Sequence, residues 1–288
     1  MNGIVVVDKP KGITSFDVVA RVRRALHEKR VGHTGTLDPM ATGVLPVCVG
    51  EATKLVQFLQ AGEKEYLAEA RFGISTDTLD ATGQVTNERD ASAITEAAVR
   101  AAAEKFVGDI DQIPPMHSAI RKDGKRLYEL AREGIEIERD ARPVRIYGIT
   151  LESFENQIAR LRVHCGKGTY IRSLASDIGE TLGVGAHLIS LQRTRVGRFT
   201  IADAVSIEKI AEAPVIGLDQ AVSDLPTISL SAEQARDVRD GKISVINTLE
   251  SPAEGLIRLL RPEGTLLAVA TSAQGKLTLE RVFVDNSP

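Results

Sequence analysis

The chain begins with an apolar run, GIVVVDKP, which is strand-length and closed by a Lys-Pro turn, so a buried strand is expected. The next stretch, TSFDVVARVRRALHEK, changes period. Val18, Val22, Ala25 and Leu26 form one apolar stripe, and Thr14 and Asp17 have the spacing of a capping box. That pattern predicts a helix with a basic outer side. VGHTGTLDPMATG reads as a loop, VLPVCV as a short strand and EATKLVQFLQ as a helix. Strict alternation follows in KEYLAEARFG, which puts Tyr66, Ala68, Ala70 and Phe72 on one strand face.

The pattern continues through TDTLDATGQV, a polar turn-rich loop leading to another strand, and ASAITEAAVRAAAEKF, a helix. Residues 114–143 read as a loop, a short basic helix near Leu127–Arg132 and a return segment. RIYGITLESFENQIARLRVHCGKG predicts a two-stranded hairpin, TYIRSLASDIGETLG an amphipathic helix stopped at Gly183, and AHLISLQRTRVGRFTI a strand. After Ile207 an Ala/Glu-rich helix and a proline-containing join, SDLPTISL, are expected. The tail then reads as one helix, SAEQARDVRDG, and three strands, GLIRLLR, TLLAVAT and KLTLERVFV. These patterns divide the chain at Ser223 into a large domain, 1–222, and a small β-rich module, 223–288.

Composition narrows the class. With 288 residues, 43% apolar and 26% charged, the chain has the makeup of a globular protein with a substantial core. It has no apolar run of membrane-spanning length, and its start lacks the basic and apolar regions of a secretory signal, so a cytoplasmic location is expected. Cys48 and Cys165 stand far apart with no CxxC partner, and HExxH is absent; free thiols and no metal site are expected.

A net charge of −3 argues on average against nucleic acid as partner. The distribution qualifies this: residues 160–198 carry seven Lys/Arg against two Asp/Glu, and residues 121–145 eight against six. A basic face on an acidic protein is compatible with a phosphate backbone as partner, although an unevenly charged solvated surface is the simpler account of charge alone.

Phosphate-loop chemistry fails on spacing. GKGT at Gly166–Thr169 lacks the earlier glycine of a Walker loop, and GVGAHL lacks a third glycine and follows a helix. No GxSxG occurs. What remains is VGHTGTLDPMATGVLPVCVGEATK, which sets one carboxylate, Asp38, in a permissive loop. Asp38-Pro39 taken alone is a turn starter. Gly32, Gly35 and Gly43 around it would let the backbone approach a ligand, and His33 and Thr34 add hydrogen-bonding groups. The residues alone carry the reading no further than a plausible active-site loop.

The same segment resembles the signature of the tRNA pseudouridine synthase B (TruB) family, in which the catalytic aspartate lies in GHTG-x-LDP-x-A-TG-x-L. Further family segments follow in order: DKPKGITS, KEYLAEARFGISTDTLDATG, PPMHSAIRKDGKRLYELAR, CGKGTYIRSLASDIGETLG and GAHLISLQRTRVG. Together they cover nearly the whole first 200 residues. The resemblance implies an α/β (α+β) pseudouridine synthase fold with a central mixed, mostly antiparallel sheet flanked by helices, plus a small PUA-like C-terminal module. It implies a stand-alone isomerase acting as a monomer, without cofactor or metal, on uridine 55 in the T arm of tRNA. A tRNA-folding chaperone and a guide-RNA-dependent synthase are the competing readings.

Residue by residue, the resemblance makes Asp38 catalytic, Arg172 its ion-pair partner and Tyr66 the residue stacked on the target base. Tyr170 and Leu191 match pocket-lining positions. Lys9 and Pro10 match the motif that braces the loop, and His33 the residue that fills the gap left by the flipped uridine. The physical expectation for Arg172 is that its guanidinium keeps an enclosed carboxylate ionised. The insertion at about 114–143 would place Arg121, Lys122, Lys125 and Arg126 on phosphates. It departs from the family pattern at His117, usually Tyr or Phe, and at Arg121, usually Lys.

Overall fold

The computed structural model describes residues 1–283 apart from Ala119, Asp123 and Pro252, and apart from the side chains of Arg121, Lys122, Lys125, Arg126, Tyr128, Arg132 and Ile243. In chain order the elements are β1 (Gly3–Lys9), α1 (Ser15–Ala25), β2 (Val31–His33), β3 (Thr42–Val49), α2 (Val56–Gln60), β4 (Lys64–Phe72), β5 (Ile74–Thr76), β6 (Val85–Glu88), α3 (Glu96–Glu104) and β7 (Gly108–Gln112). The insertion holds β8 (Arg121–Lys122), β9 (Lys125–Arg126) and α4 (Leu127–Arg132). Then come β10 (Arg142–Glu155), β11 (Ile158–Cys165), α5 (Ile171–Thr181), β12 (Ala186–Val196), β13 (Phe199–Thr200) and α6 (Leu218–Ala221). The tail contains β14 (Thr227–Ser229), α7 (Ala232–Arg239), α8 (Ile243–Ile246), β15 (Gly255–Leu260), β16 (Leu266–Ala273) and β17 (Lys276–Val282).

Among the described residues nine strands form one sheet, ordered β1-β3-β12-β4-β11-β10-β7, with β2 beside β3 and β13 beside β12. Only β3 and β12 run parallel, at Thr42–Gln192 and Gly43–Arg193; the other pairs are antiparallel. The expected mixed, mostly antiparallel sheet is thus the one observed. In β4, Tyr66, Ala68, Ala70 and Phe72 are buried while the residues between them are more open, as the alternation predicts. The capping box of α1 also forms: Thr14 Oγ1 accepts from the Asp17 amide at 3.1 Å, and Asp17 accepts from the Thr14 amide at 2.8 Å.

One core lies between the sheet and helices α1, α3 and α5, with Val18, Leu45, Val99, Leu161, Leu174 and Ile178 among its members. Gly179 lets α5 come close to the sheet: a Cβ there would stand 2.4 Å from the Ala186 amide nitrogen. A second core joins Ile4, Val6, Val44 and Leu55 to Leu266, Val269 and Phe283 of the tail. Each of those three tail side chains contributes about 1.5–3 kcal/mol by leaving water. The tail has its own four-stranded sheet, β14-β15-β16-β17, and a third core around Ile257, Leu259 and Ala268.

Four local expectations are corrected. The loop reading of the Asp38 segment missed β2, whose three residues add to the edge of β3. EATKLVQFLQ is a 3₁₀ segment, Gly50–Leu55, followed by the short α2, and the segment after Ile207 is a 3₁₀ turn, Ile207–Glu212. Short polar-apolar runs carry too few i→i−4 bonds to repay nucleation, so tertiary packing sets the tighter form. The SDLPTISL join contains β14, which pairs in parallel with β15.

Candidate active site

Asp38 sits in a loop tied down on every side. Its own carbonyl accepts from the Ala41 amide at 3.0 Å, closing the turn that Asp-Pro predicts. Leu37, Met40 and Ala41 on either side of it are buried, which anchors the turn in the core. Ser15, at the start of α1, both donates to the Leu37 carbonyl at 3.1 Å and accepts from the Leu37 amide at 2.8 Å. The Lys9 ammonium is fully buried and donates to the carbonyls of Ile13 at 2.7 Å, Pro10 at 3.0 Å and Pro39 at 3.4 Å. Three donors meet three acceptors, so the expected bracing by Lys9 and Pro10 has a definite geometry. Burial nevertheless lowers the Lys9 pKa to about 8, with Asp38 opposing that fall.

Arg172 lies at the start of α5 and is buried, with 4% of its side chain exposed. Its Nε is 2.9 Å from Asp38 Oδ2. Nη1 donates to the Thr78 carbonyl at 2.9 Å and lies 3.6 Å from Asp80 Oδ2; Nη2 donates to the His117 carbonyl at 2.8 Å. A single guanidinium therefore joins the Asp38 loop, the β5–β6 connection and the root of the insertion. Gln112 of β7 fixes the helix start by accepting from the Tyr170 amide at 2.7 Å and donating to the Tyr170 carbonyl at 3.1 Å.

Asp80 lies in the TDTLDATG segment, where no local signal marks it out. Its Oδ1 accepts from Thr78 Oγ1 at 2.9 Å, Thr82 Oγ1 at 2.5 Å and the Thr82 amide at 2.9 Å. Two carboxylates and one arginine thus share the floor. Arg172 acts on Asp38 in the expected direction, toward the ionised form, against burial and Asp80. Burial pushes the Asp38 carboxyl above its ordinary range, Arg172 pulls it down and Asp80 pushes it up again. Asp38 still keeps 34% of its side-chain surface open, so it can be reached from the cleft.

Tyr66 and Leu191 are buried, at 8% and 7% exposure, and Tyr170 is half-buried at the N-cap of α5. Burial raises both phenols, and the negative charge of Asp38 adds to each, so both lie within electrostatic reach of it. His33 is half-buried, and its Nδ1 accepts from the Gly35 amide at 3.2 Å. The phosphate role assigned to Arg121, Lys122, Lys125 and Arg126 concerns side chains outside the described residues. Gly43 departs from the expectation for the loop glycines. Gly43, at φ +101°, is close to protein rather than held open for ligand: a Cβ there would stand 2.2 Å from the Arg193 carbonyl oxygen.

Among the described residues no group of His, Cys, Asp and Glu is placed to hold a metal, and no helix is long and apolar enough to cross a membrane. The site offers an accessible carboxylate and a buried guanidinium beside it, with two phenols within reach of the carboxylate's charge.

Residues 23–171 match the model of the TruB family pseudouridylate synthase N-terminal domain. The chain belongs to the TruB family. Residues 172–234 match the C-terminal domain model of tRNA pseudouridylate synthase B. The proteins named tRNA pseudouridine synthase B of Saccharophagus degradans and Clostridium perfringens are similar to it. The first is 46% identical over 82% of this chain and 80% of its own length; the second is 41% identical over 99% and 100%. A solved structure of a Cbf5-Nop10-Gar1 complex holds a chain with a TM-score of 0.75 and 26% identity, over 98% of this chain and 85% of that one. The TruB relationship therefore spans both the Asp38 floor and the C-terminal sheet.

Proposed function

We propose that this TruB-family protein is a stand-alone tRNA pseudouridine synthase that isomerises uridine 55 of the T loop, with Asp38 as its catalytic residue. The observation that carries the reading is the reachable Asp38 carboxylate, 2.9 Å from the buried Arg172, with the Tyr66 and Tyr170 phenols within reach of its charge. In the reaction the N1–C1′ bond breaks and the C5–C1′ bond forms. C5 loses a proton and N1 gains one, so atoms balance without a cofactor. Asp38 either attacks C1′ or removes the C2′ proton; both need it ionised, and both place charge that Arg172 stabilises. Tyr66 stacks on the base, and Tyr170 and Leu191 close the pocket.

A uridine inside a folded loop reaches Asp38 only after extrusion, at a cost of a few kcal/mol. Backbone contacts must offset that cost. The insertion supplies some through Arg121, Lys122, Lys125 and Arg126, and His33 fills the gap left in the RNA. The basic side of α1 supplies others: Lys11, Arg21, Arg24 and Lys29 are exposed there, with Phe16 66% exposed and Arg23 5.9 Å from its ring centre. This rim adjoins the Asp38 loop, because the Gly12 amide donates to the Pro39 carbonyl at 2.8 Å and Ser15 bonds to Leu37. The C-terminal module, PUA-like and beginning at Ser223, extends the RNA surface. Identities of 41–46% to named tRNA synthases, against 26% to the Cbf5 chain, favour the stand-alone reading over a guide-dependent one.

The reading is tested by incubating purified protein with an unmodified tRNA transcript and mapping pseudouridine by carbodiimide-dependent reverse-transcription stops. A single new stop in the T loop, with no other component added, is expected. Tight binding without a stop would mean a chaperone; a stop that requires a guide RNA would mean the complex-dependent class.

A further inference from the structure

Arg193 is a buried guanidinium on β12. Among the described residues no carboxylate lies within ion-pair distance of it. Its Nε donates to the Val44 carbonyl at 2.8 Å and its Nη2 to the Gly35 carbonyl at 3.1 Å, while Nη1 stands 3.5 Å from the Thr36 carbonyl oxygen. These carbonyls lie on both sides of Asp38: Gly35 and Thr36 lead into its turn, and Val44 leads away from it in β3. The Arg193 backbone holds the same segment from a second direction. It is the register partner of Gly43 where β3 and β12 run parallel, and of Tyr66 where β12 and β4 run antiparallel. One residue therefore meets the entry of the Asp38 loop, its exit and the strand that carries Tyr66.

A charge buried among carbonyls is a costly way to fill space, and an apolar side chain would pack there at less cost. What a guanidinium adds is a rigid planar fork of donors that can hold several carbonyls in one arrangement. The site needs such a hold. Arg172 is fixed on α5 by the Thr78 and His117 carbonyls, whereas Asp38 comes from the loop before β3, so their 2.9 Å contact joins two separately built parts. It survives only if the loop is set independently of Arg172. We propose that Arg193 is a positioning residue for Asp38: by holding the carbonyls before and after the turn, it places the carboxylate against Arg172 and in register with the Tyr66 strand. Arg193 acts through the loop backbone and needs no contact with the RNA. The catalytic part of this inference rests on the functional reading above.

The test compares wild type, Arg193→Met and Arg193→Lys for tRNA affinity and for single-turnover rate on a saturating tRNA transcript. Methionine fills similar space without a donor, and lysine keeps the charge but not the fork. Misplacing a reacting group by about 1 Å can cost about 100-fold, so Arg193→Met should lose about that much in rate while its tRNA affinity stays within about threefold. Arg193→Lys should recover part of the loss, to about tenfold below wild type, because one ammonium can still hold one or two of the carbonyls. A folded Arg193→Met with the wild-type rate would overturn the proposal. So would equal losses of affinity and rate, the mark of general disruption. If Arg193→Met does not fold, Arg193→Lys carries both measurements by itself. A second readout needs no activity: in a crystal structure of the variant, Asp38 Oδ2 should no longer stand in contact with Arg172 Nε. A contact kept at the wild-type distance would overturn the proposal. If wild type proves inactive on tRNA, the functional reading falls, and the crystal structure still decides whether Arg193 places Asp38.

Discussion

The two faces of the central sheet use the same ion-pair chemistry to different ends. On the cleft side Arg172 meets Asp38 and Asp80 with 4% of its side chain exposed. On the opposite side Arg162 meets Glu65 at 3.0 Å and Glu152 at 2.7 Å, and Arg160 meets Glu152 at 3.1 Å, with both arginines more than 40% exposed. Adjacent residues of β4 point to the two faces, Glu65 outward and Tyr66 inward. The outer network lies in high dielectric and is worth about 0–1 kcal/mol per pair. The inner one is desolvated, so removing a partner leaves an uncompensated charge that costs about 3–5 kcal/mol. The lesson is that an ion pair's count says little; its burial, and the loops it ties together, decide whether it can do chemistry.

The contrast can be broken most sharply at Arg172. Arg172→Met should cost about 3–5 kcal/mol in denaturant unfolding and nearly all turnover. Its pH profile is the more telling readout. With Asp38 as the proposed catalytic carboxylate, the wild-type rate should fall as pH drops through a value above the usual carboxylate range. Without that positive charge the acid limb should move to still higher pH, in whatever residual rate Arg172→Gln retains. An acid limb at the same pH in both would remove Arg172 from the electrostatics of Asp38.

Next in size is the α1 rim. Lys11→Glu with Arg24→Glu should weaken tRNA binding about tenfold or more and flatten the dependence of affinity on salt by about one to two phosphate contacts. Binding measured across a salt series checks it, and an unchanged slope would take α1 off the RNA path.

A smaller effect is expected at Asp177 of α5. Burial, helped by Glu180, raises its carboxyl to about 6. The folded chain then binds more protons than the unfolded one between about pH 4 and 6, so stability from this group is present at low pH and falls as pH rises through 6. Asp177→Asn should stabilise the protein at neutral pH by on the order of 1 kcal/mol, reduced by solvent screening, and not below pH 4. Thermal melting at both pH values decides it. The smallest effect belongs to the outer face: Arg162→Ala should change unfolding free energy by less than about 1 kcal/mol and leave the rate untouched. A loss of activity there would contradict the division between the faces.

Where the sequence was legible, local physics sufficed. The capping box of Thr14 and Asp17, the alternation through Tyr66 and Phe72 and the Gly183 stop are written in neighbouring residues and appear as expected. The Asp38-Pro39 turn was legible in the same way, and Arg172 was found only because its motif matched a family. Asp80, Gln112 and Arg193 carried no such local signal. Each is placed through a partner 40 or more residues away, as Gln112 is with Tyr170 and Arg193 with Gly35. Gly43 misled for the same reason, because the backbone it must clear comes from β12.

The most direct test of the central claim is release of tritium from C5-labelled uridine in an unmodified tRNA transcript, with purified wild type beside Asp38→Asn and nothing else added. The account predicts about one equivalent of tritium released per tRNA by wild type and none by the variant, with both proteins binding the RNA alike. Release by Asp38→Asn at a rate near that of wild type would contradict it.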